Sequence, residues 1–198
     1  IQNIIFFFCI INGGGTLTLE GNSYINNTGI LSIEEDIIAG GVIAAYISNS
    51  GTINLYANHQ ITGNSVSLLS NLAAGTLNIY GNWVIGIQIN NNGNLSVLPD
   101  IPGVLTINGT SNTYNGTINV GTGAQLTATS PIAFAGTQIT NDGFIISPEL
   151  GFSGGSQTLE GSGTINNLAV YGNVTVNGFH SISTLLSLNN GIVTTGVA

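Results

Sequence analysis

GTINLYAN (residues 51–58) and GTLNIYGN (residues 75–82) are two versions of one phrase, the second starting 24 residues after the first (75 minus 51). In each, aliphatic residues fall two apart, Ile53 with Leu55 and Leu77 with Ile79, which is the period of a strand with one buried face. The residues between them, Thr52, Asn54, Thr76 and Asn78, then point outward. There β-branched Thr suits a strand, and Asn can stack on its equivalent one coil away. Tyr56 and Tyr80 occupy matching places in the two copies.

The phrase returns along most of the chain: GTLTLEGN from Gly15, GILSIEED from Gly29, GNLSVLPD from Gly93, GTINVGTG from Gly116, GTQITNDG from Gly136, GTINNLAV from Gly163 and GIVTTG from Gly191. Most intervals lie around 20 residues, enough for two or three short strands and their turns, which is one coil of a β-helix. Second strands within the units are expected at 57–62, 83–89, 104–108, 125–129 and 173–177. Turn clusters such as Asn90-Asn91-Asn92-Gly93 and 112–116 lie between strands.

The fold predicted is all-β, a right-handed parallel β-helix (β-solenoid) of about eight coils, on the order of 40 Å long at ~4.8 Å per coil. A β-sandwich with hairpins is the alternative, since short strands at short spacing also describe that class. Repetition of one unit favours the solenoid. Residues 1–14 read as an apolar first strand or end coil and residues 15–198 as glycine-initiated repeats. The repeats reach the last residues without a polar cap, so a piece of a longer chain is expected. Residues 149–162 (ELGFSGGSQTLEGS) read as a longer protruding loop.

Composition narrows the function. Of 198 residues only 4% are charged, none is Lys or Arg, and the net charge is -8, while 42% are hydrophobic. Recurrent Ile, Leu and Val set the chain apart from disordered sequences, so Asn, Thr, Ser and Gly must do the solvating. Without cationic side chains there is no means of neutralising phosphates, which argues against nucleic acid and against anionic membrane surfaces. The run Ile4 to Ile11 (IIFFFCII) is far below the roughly 20 residues of a spanning helix, and it reads first as a buried first strand or end coil and second as a targeting remnant. The single Cys9, in that apolar run, reads as a buried thiol that forms no intrachain disulfide.

The units from Gly116 onward, and above all GSGTINNLAVYGNVTVNGFHSISTLLSLNNGIVTTG from Gly161 to Gly196, resemble the repeats of large secreted surface adhesins of Bacteroidetes. They are also similar to autotransporter passenger domains and filamentous haemagglutinins. The resemblance is one of composition and rhythm, and the absence of Lys and Arg departs from it. It implies an extracellular or cell-surface location after export through the outer membrane. It further implies adhesion to surface glycans, matrix or other cells, and in gliding Bacteroidetes movement along the cell. The partners it implies within the protein are neighbouring repeats of the same long chain or filament.

β-helix lyases need a cationic base, which the chain lacks. Paired-carboxylate hydrolysis needs only acids, for which Glu34, Glu35, Asp36, Asp100, Asp142, Glu149 and Glu160 are the main candidates, most of them isolated in turns. Glu34-Glu35-Asp36 is the one cluster. It reads first as a solvated turn and second as a loose Ca²⁺ site; no other cofactor is expected. His59 and His180 have no Cys, His or carboxylate at a ligand spacing, and no G-x-S-x-G is present. No catalytic residue is assigned, and the chain is expected not to be an enzyme. A carbohydrate-active β-helix enzyme and a self-assembling filament subunit stand as alternatives.

Tyr56, Tyr80 and Trp83 are candidates for stacking on a glycan, set against an aromatic ladder that stabilises the solenoid. The sequons at Asn26, Asn94, Asn108, Asn115 and Asn173 arise readily by chance in so Asn- and Thr-rich a chain. The outward pairs Thr16/Thr18 and Thr127/Thr129 raise ice binding as a minor alternative, but these pairs do not recur in register.

Overall fold

The computed structural model describes residues 3–12, 14–20, 22–40, 44–99, 103–189 and 191–196. Among these there is no helix, and 23 strands form one sheet in which every pairing is parallel. The chain is a parallel β-solenoid of about eight turns. Hairpin pairing, which a sandwich requires, does not occur among the described strands.

Three ladders wind in succession. One turn runs from Tyr46–Asn49 on the first face, through residues 52–55 on the second, to 59–63 on the third. The next turn repeats it with Leu68–Asn71, then 76–79, then 82–85. Residues 52–61 of one rung and 76–85 of the next pair without a break in register, so the phrase that defines the repeat is itself a rung of the stack.

Along each strand burial alternates, and inward residues stack on their equivalents. Ile53, Leu77, Leu95, Ile118, Ile139 and Leu159 form one such column on the second face, each at 1% exposure or less. Each fully buried Leu or Ile contributes roughly 1.5–3 kcal/mol relative to exposure, and the column repeats that contribution at every rung. A second signal fixes the corner between the first and second faces. There Gly51 stacks on Gly29, Gly93 on Gly75 and Gly116 on Gly93, and a Cβ on Gly116 would stand 1.9 Å from the Gly93 carbonyl oxygen. No other residue fits where the backbones approach so closely.

Beneath the glycines lies an asparagine ladder. The Asn27 Nδ2 donates to Asn49 Oδ1 at 2.8 Å, Asn49 to Asn71 at 2.8 Å and Asn71 to Asn91 at 2.7 Å, all four residues being buried. Each amide also donates to a main-chain carbonyl across the corner, those of Thr52, Thr76, Asn94 and Thr117. These interior polar groups are therefore satisfied by one another and by the turn they hold.

Several expectations are corrected. Strands following Gly29, Gly51, Gly75, Gly93, Gly116 and Gly136 share the second face, but those following Gly15 and Gly163 lie on the third. The second-face rungs after Gly136 are instead Ser156–Gly161 and Asn173–Gly178. Residues 149–162 are accordingly no protruding loop, since Leu150–Phe152 and Ser156–Gly161 are regular rungs. Asn3–Ile11 is a strand paired with Tyr24–Ile33, yet its Cys9 is only half-buried. The span 83–89 is divided by a corner between Ile85 and Gln88.

Candidate functional site

Two outward surfaces are candidates. The first is the second face itself. Thr52, Thr76, Asn94, Thr117, Gln138, Thr158, Thr175 and Thr194 form one column in unbroken register. Asn54, Asn78, Ser96, Asn119, Thr140, Glu160 and Asn177 form a second column beside it, in which Ser96 is buried. Neighbours in these columns bond to each other, as Asn78 Nδ2 does to Asn54 Oδ1 at 3.0 Å and Thr117 Oγ1 to Asn94 Oδ1 at 2.9 Å. Thr16 and Thr18 pair with Asp36 and Ile38 and found no such array, whereas the second face does align threonines, with Asn94 and Gln138 interrupting them.

The second surface is the corner between the second and third faces, at the rungs of Tyr56 and Tyr80. Their rings stack at 4.7 Å between centroids with 15° between planes, as expected for matching repeat positions. Burial, then Tyr80 and the charge of Glu34, push the Tyr56 phenol up. A similar stack joins Tyr24 and Tyr46 on the first face, at 5.0 Å. Past Tyr56 the chain turns at Ala57, whose φ of 60° lies in the left-handed region, and the residue in register one rung on is Gly81. That turn delivers Asn58, His59 and Gln60 to the third face.

There His59 meets Asp36. The ring Nδ1 lies 3.2 Å from Asp36 Oδ1, which also accepts the Gln60 main-chain N–H at 3.1 Å. These bonds from Gln60 and His59 outweigh the opposing effect of burial and hold the Asp36 carboxyl below its ordinary range. No carboxylate neighbours His59 in sequence. The pair arises because Asp36 sits 23 residues upstream, one coil, a relation that the repeat length encodes. Asp36, Asn58, His59, Gln60, Asn82 and Val84 line a shallow depression of about 320 Å³.

Trp83 does not belong to this surface. Its ring is 1% exposed and faces the core, tilted against His59, with Nε1 donating to the Tyr56 carbonyl at 3.1 Å. Strand alternation turns Tyr80 outward and Trp83, three residues on, inward, so the two cannot present one aromatic platform.

The acidic cluster is also dispersed. Glu34 accepts from Asn12 Nδ2 at 3.2 Å, Asp36 turns to His59 and Gln60, and Glu35 is buried at 5% exposure. Glu35 takes the main-chain N–H groups of Gly14 and Gly15, the latter at 2.7 Å, so it is a buried brace and not part of a solvated turn. Three carboxylates aimed at three partners do not make the loose Ca²⁺ site considered from sequence, and no group of three or more metal-binding side chains converges among the described residues. The remaining acids have their own partners: Glu149 with the Tyr171 hydroxyl, Asp142 with Ser162, Glu160 with Gln138. Asp100 lies outside the described residues. His180 is half-buried in other rungs, and burial pushes its pKa down.

No helix among the described residues is long and apolar enough to cross a membrane. Comparison with protein-family models, with curated proteins and with solved structures returns no match.

Proposed function

We propose that this chain is a structural and adhesive segment of a bacterial cell-surface adhesin, acting outside the cell as a stiff rod whose flank of hydroxyls and amides contacts glycans, matrix or other cells. The observation that carries the reading is the second face, where Thr, Asn, Ser and Gln repeat in register over successive rungs. Such a surface offers many equivalent donors and acceptors, so weak contacts add along one rigid body without a linker to order. The absence of Lys and Arg turns this flank toward neutral partners and away from polyanions. In this reading the chain performs no catalysis, and its export and any part in gliding follow from the parent protein.

Beads coated with the purified chain supply the test, under flow over bacterial lawns, epithelial cells and matrix-coated glass. Retention above that of albumin-coated beads is the expected result. Retention equal to albumin on every surface would overturn the adhesive role. Sugar released from a polysaccharide panel incubated with the chain would replace it with an enzymatic one.

A further inference from the structure

Among the described outward surfaces, the Tyr56–Tyr80 corner joins stacked rings, amides, a carboxylate and a depression within three rungs. Tyr80 covers one face of the Tyr56 ring and Glu34 stands in register with Tyr56 on the other side, so the stack turns its ring edges outward. Asn58 and Asn82 stand exposed in register, with the Asn82 main-chain N–H donating to Asn58 Oδ1 at 3.2 Å. The Asn82 carboxamide has no partner among the described residues, and the Asp36 side chain, 37% exposed, lines the same depression two rungs away. A left-handed alanine is a local cost of about 1–2 kcal/mol, and such costs collect where a backbone is held for a purpose.

The chemistry selects a ligand. An aromatic ring takes an apolar C–H face, while a carboxylate and carboxamides take vicinal hydroxyls that both donate and accept. Glu34 and Asp36 are the formal charges here, the chain has no Lys or Arg, and His59 is engaged by Asp36, so uronates, sialylated sugars and phosphates meet net repulsion. A depression of about 320 Å³ falls at the small end of ligand sites, the scale of one or two sugar rings. We propose that this corner is a binding site for an uncharged saccharide, packed against Tyr56 and hydrogen-bonded by Asn58, Asn82 and Asp36. It rests on the adhesive reading and gives that reading a ligand class.

The test is an array of neutral oligosaccharides built from glucose, mannose, galactose and N-acetylglucosamine, printed beside sialylated and uronate glycans and lysine-rich peptides. Titration of the strongest binder follows with variants whose fold is checked by circular dichroism. The neutral class should bind, Tyr56→Ala and Asn82→Ala should each weaken it about ten-fold, and Tyr56→Phe should stay within about three-fold. Tyr24→Ala, at the other tyrosine stack, should leave binding unchanged. Should Tyr56→Ala unfold, the exposed Asn82→Ala carries the test. Binding indifferent to Tyr56 and Asn82, or preference for anionic glycans or for the peptides, would overturn the site. A blank array together with bead retention on cells also overturns it while the adhesive reading stands; a blank array without retention removes both.

Discussion

At the scale of single residues, the interior asparagines matter more than any outward side chain. Asn71 accepts from Asn49 and donates to Asn91 and to the Asn94 carbonyl, so Asn71→Ala leaves three buried groups short of a partner. A loss of roughly 2–4 kcal/mol in urea unfolding is expected, against about 0.5 kcal/mol or less for the outward Asn54→Ala. Tyr114 gives the opposite case. It pairs with Asn91 at the next rung and replaces the ladder by a phenol that is 1% exposed, whose hydroxyl has no partner and whose pKa burial drives upward. Tyr114→Phe should therefore be neutral or stabilising by up to about 1 kcal/mol, and a clear destabilisation would reveal a bond to that hydroxyl. Little of this could be read beforehand. The N-x-G spacing of Asn27, Asn49 and Asn91 ahead of Gly29, Gly51 and Gly93 is visible in the sequence, but an amide looks like a turn residue until the corner shows it facing inward.

At the scale of the rung, strand period and glycine spacing were enough to reveal the coil, because inward Ile, Leu and Val alternate with Thr and Asn without exception in phrases such as 52–55 and 76–79. Which face each phrase occupies was not legible. Gly163 opens a third-face strand with the same GTIN letters that Gly51 and Gly116 use on the second, and only the pairing tells them apart. Trp83 is a different case: it stands three residues from Tyr80, and strand alternation alone puts the two on opposite sides. Corner glycines are where a rung is most exposed to substitution. Gly116→Ala puts a methyl group 1.9 Å from the Gly93 carbonyl, and backbone has nowhere to move without breaking the ladder on either side. A cost of roughly 2–4 kcal/mol is expected from thermal unfolding. Gly15→Ala, with open space around its Cβ, should stay within about 0.5 kcal/mol or gain slightly from a stiffer unfolded chain. Equal costs at the two positions would show that glycine serves flexibility and not close approach.

At the scale of the whole molecule, the rod is stabilised almost without ionic attraction. Eight acidic residues face no Lys or Arg, and the one ion pair among the described residues, His59 with Asp36, is partly exposed and conditional on protonation of the ring. Such a pair contributes little. The long-range electrostatic energy at neutral pH is therefore repulsive, and the cohesion comes from aliphatic columns, parallel ladders and amide bonds, which moderate salt leaves largely unaffected. Raising NaCl from about 0.01 to 0.3 M shortens the Debye length from roughly 30 to about 6 Å and screens only repulsion. The melting temperature should then rise by roughly 1–4 °C, where a protein dependent on surface ion pairs would lose stability. A fall in melting temperature over that range would mean that attractive pairs hold the rungs together, and the account of the rod as a neutral, hydrogen-bonded stack would have to be given up.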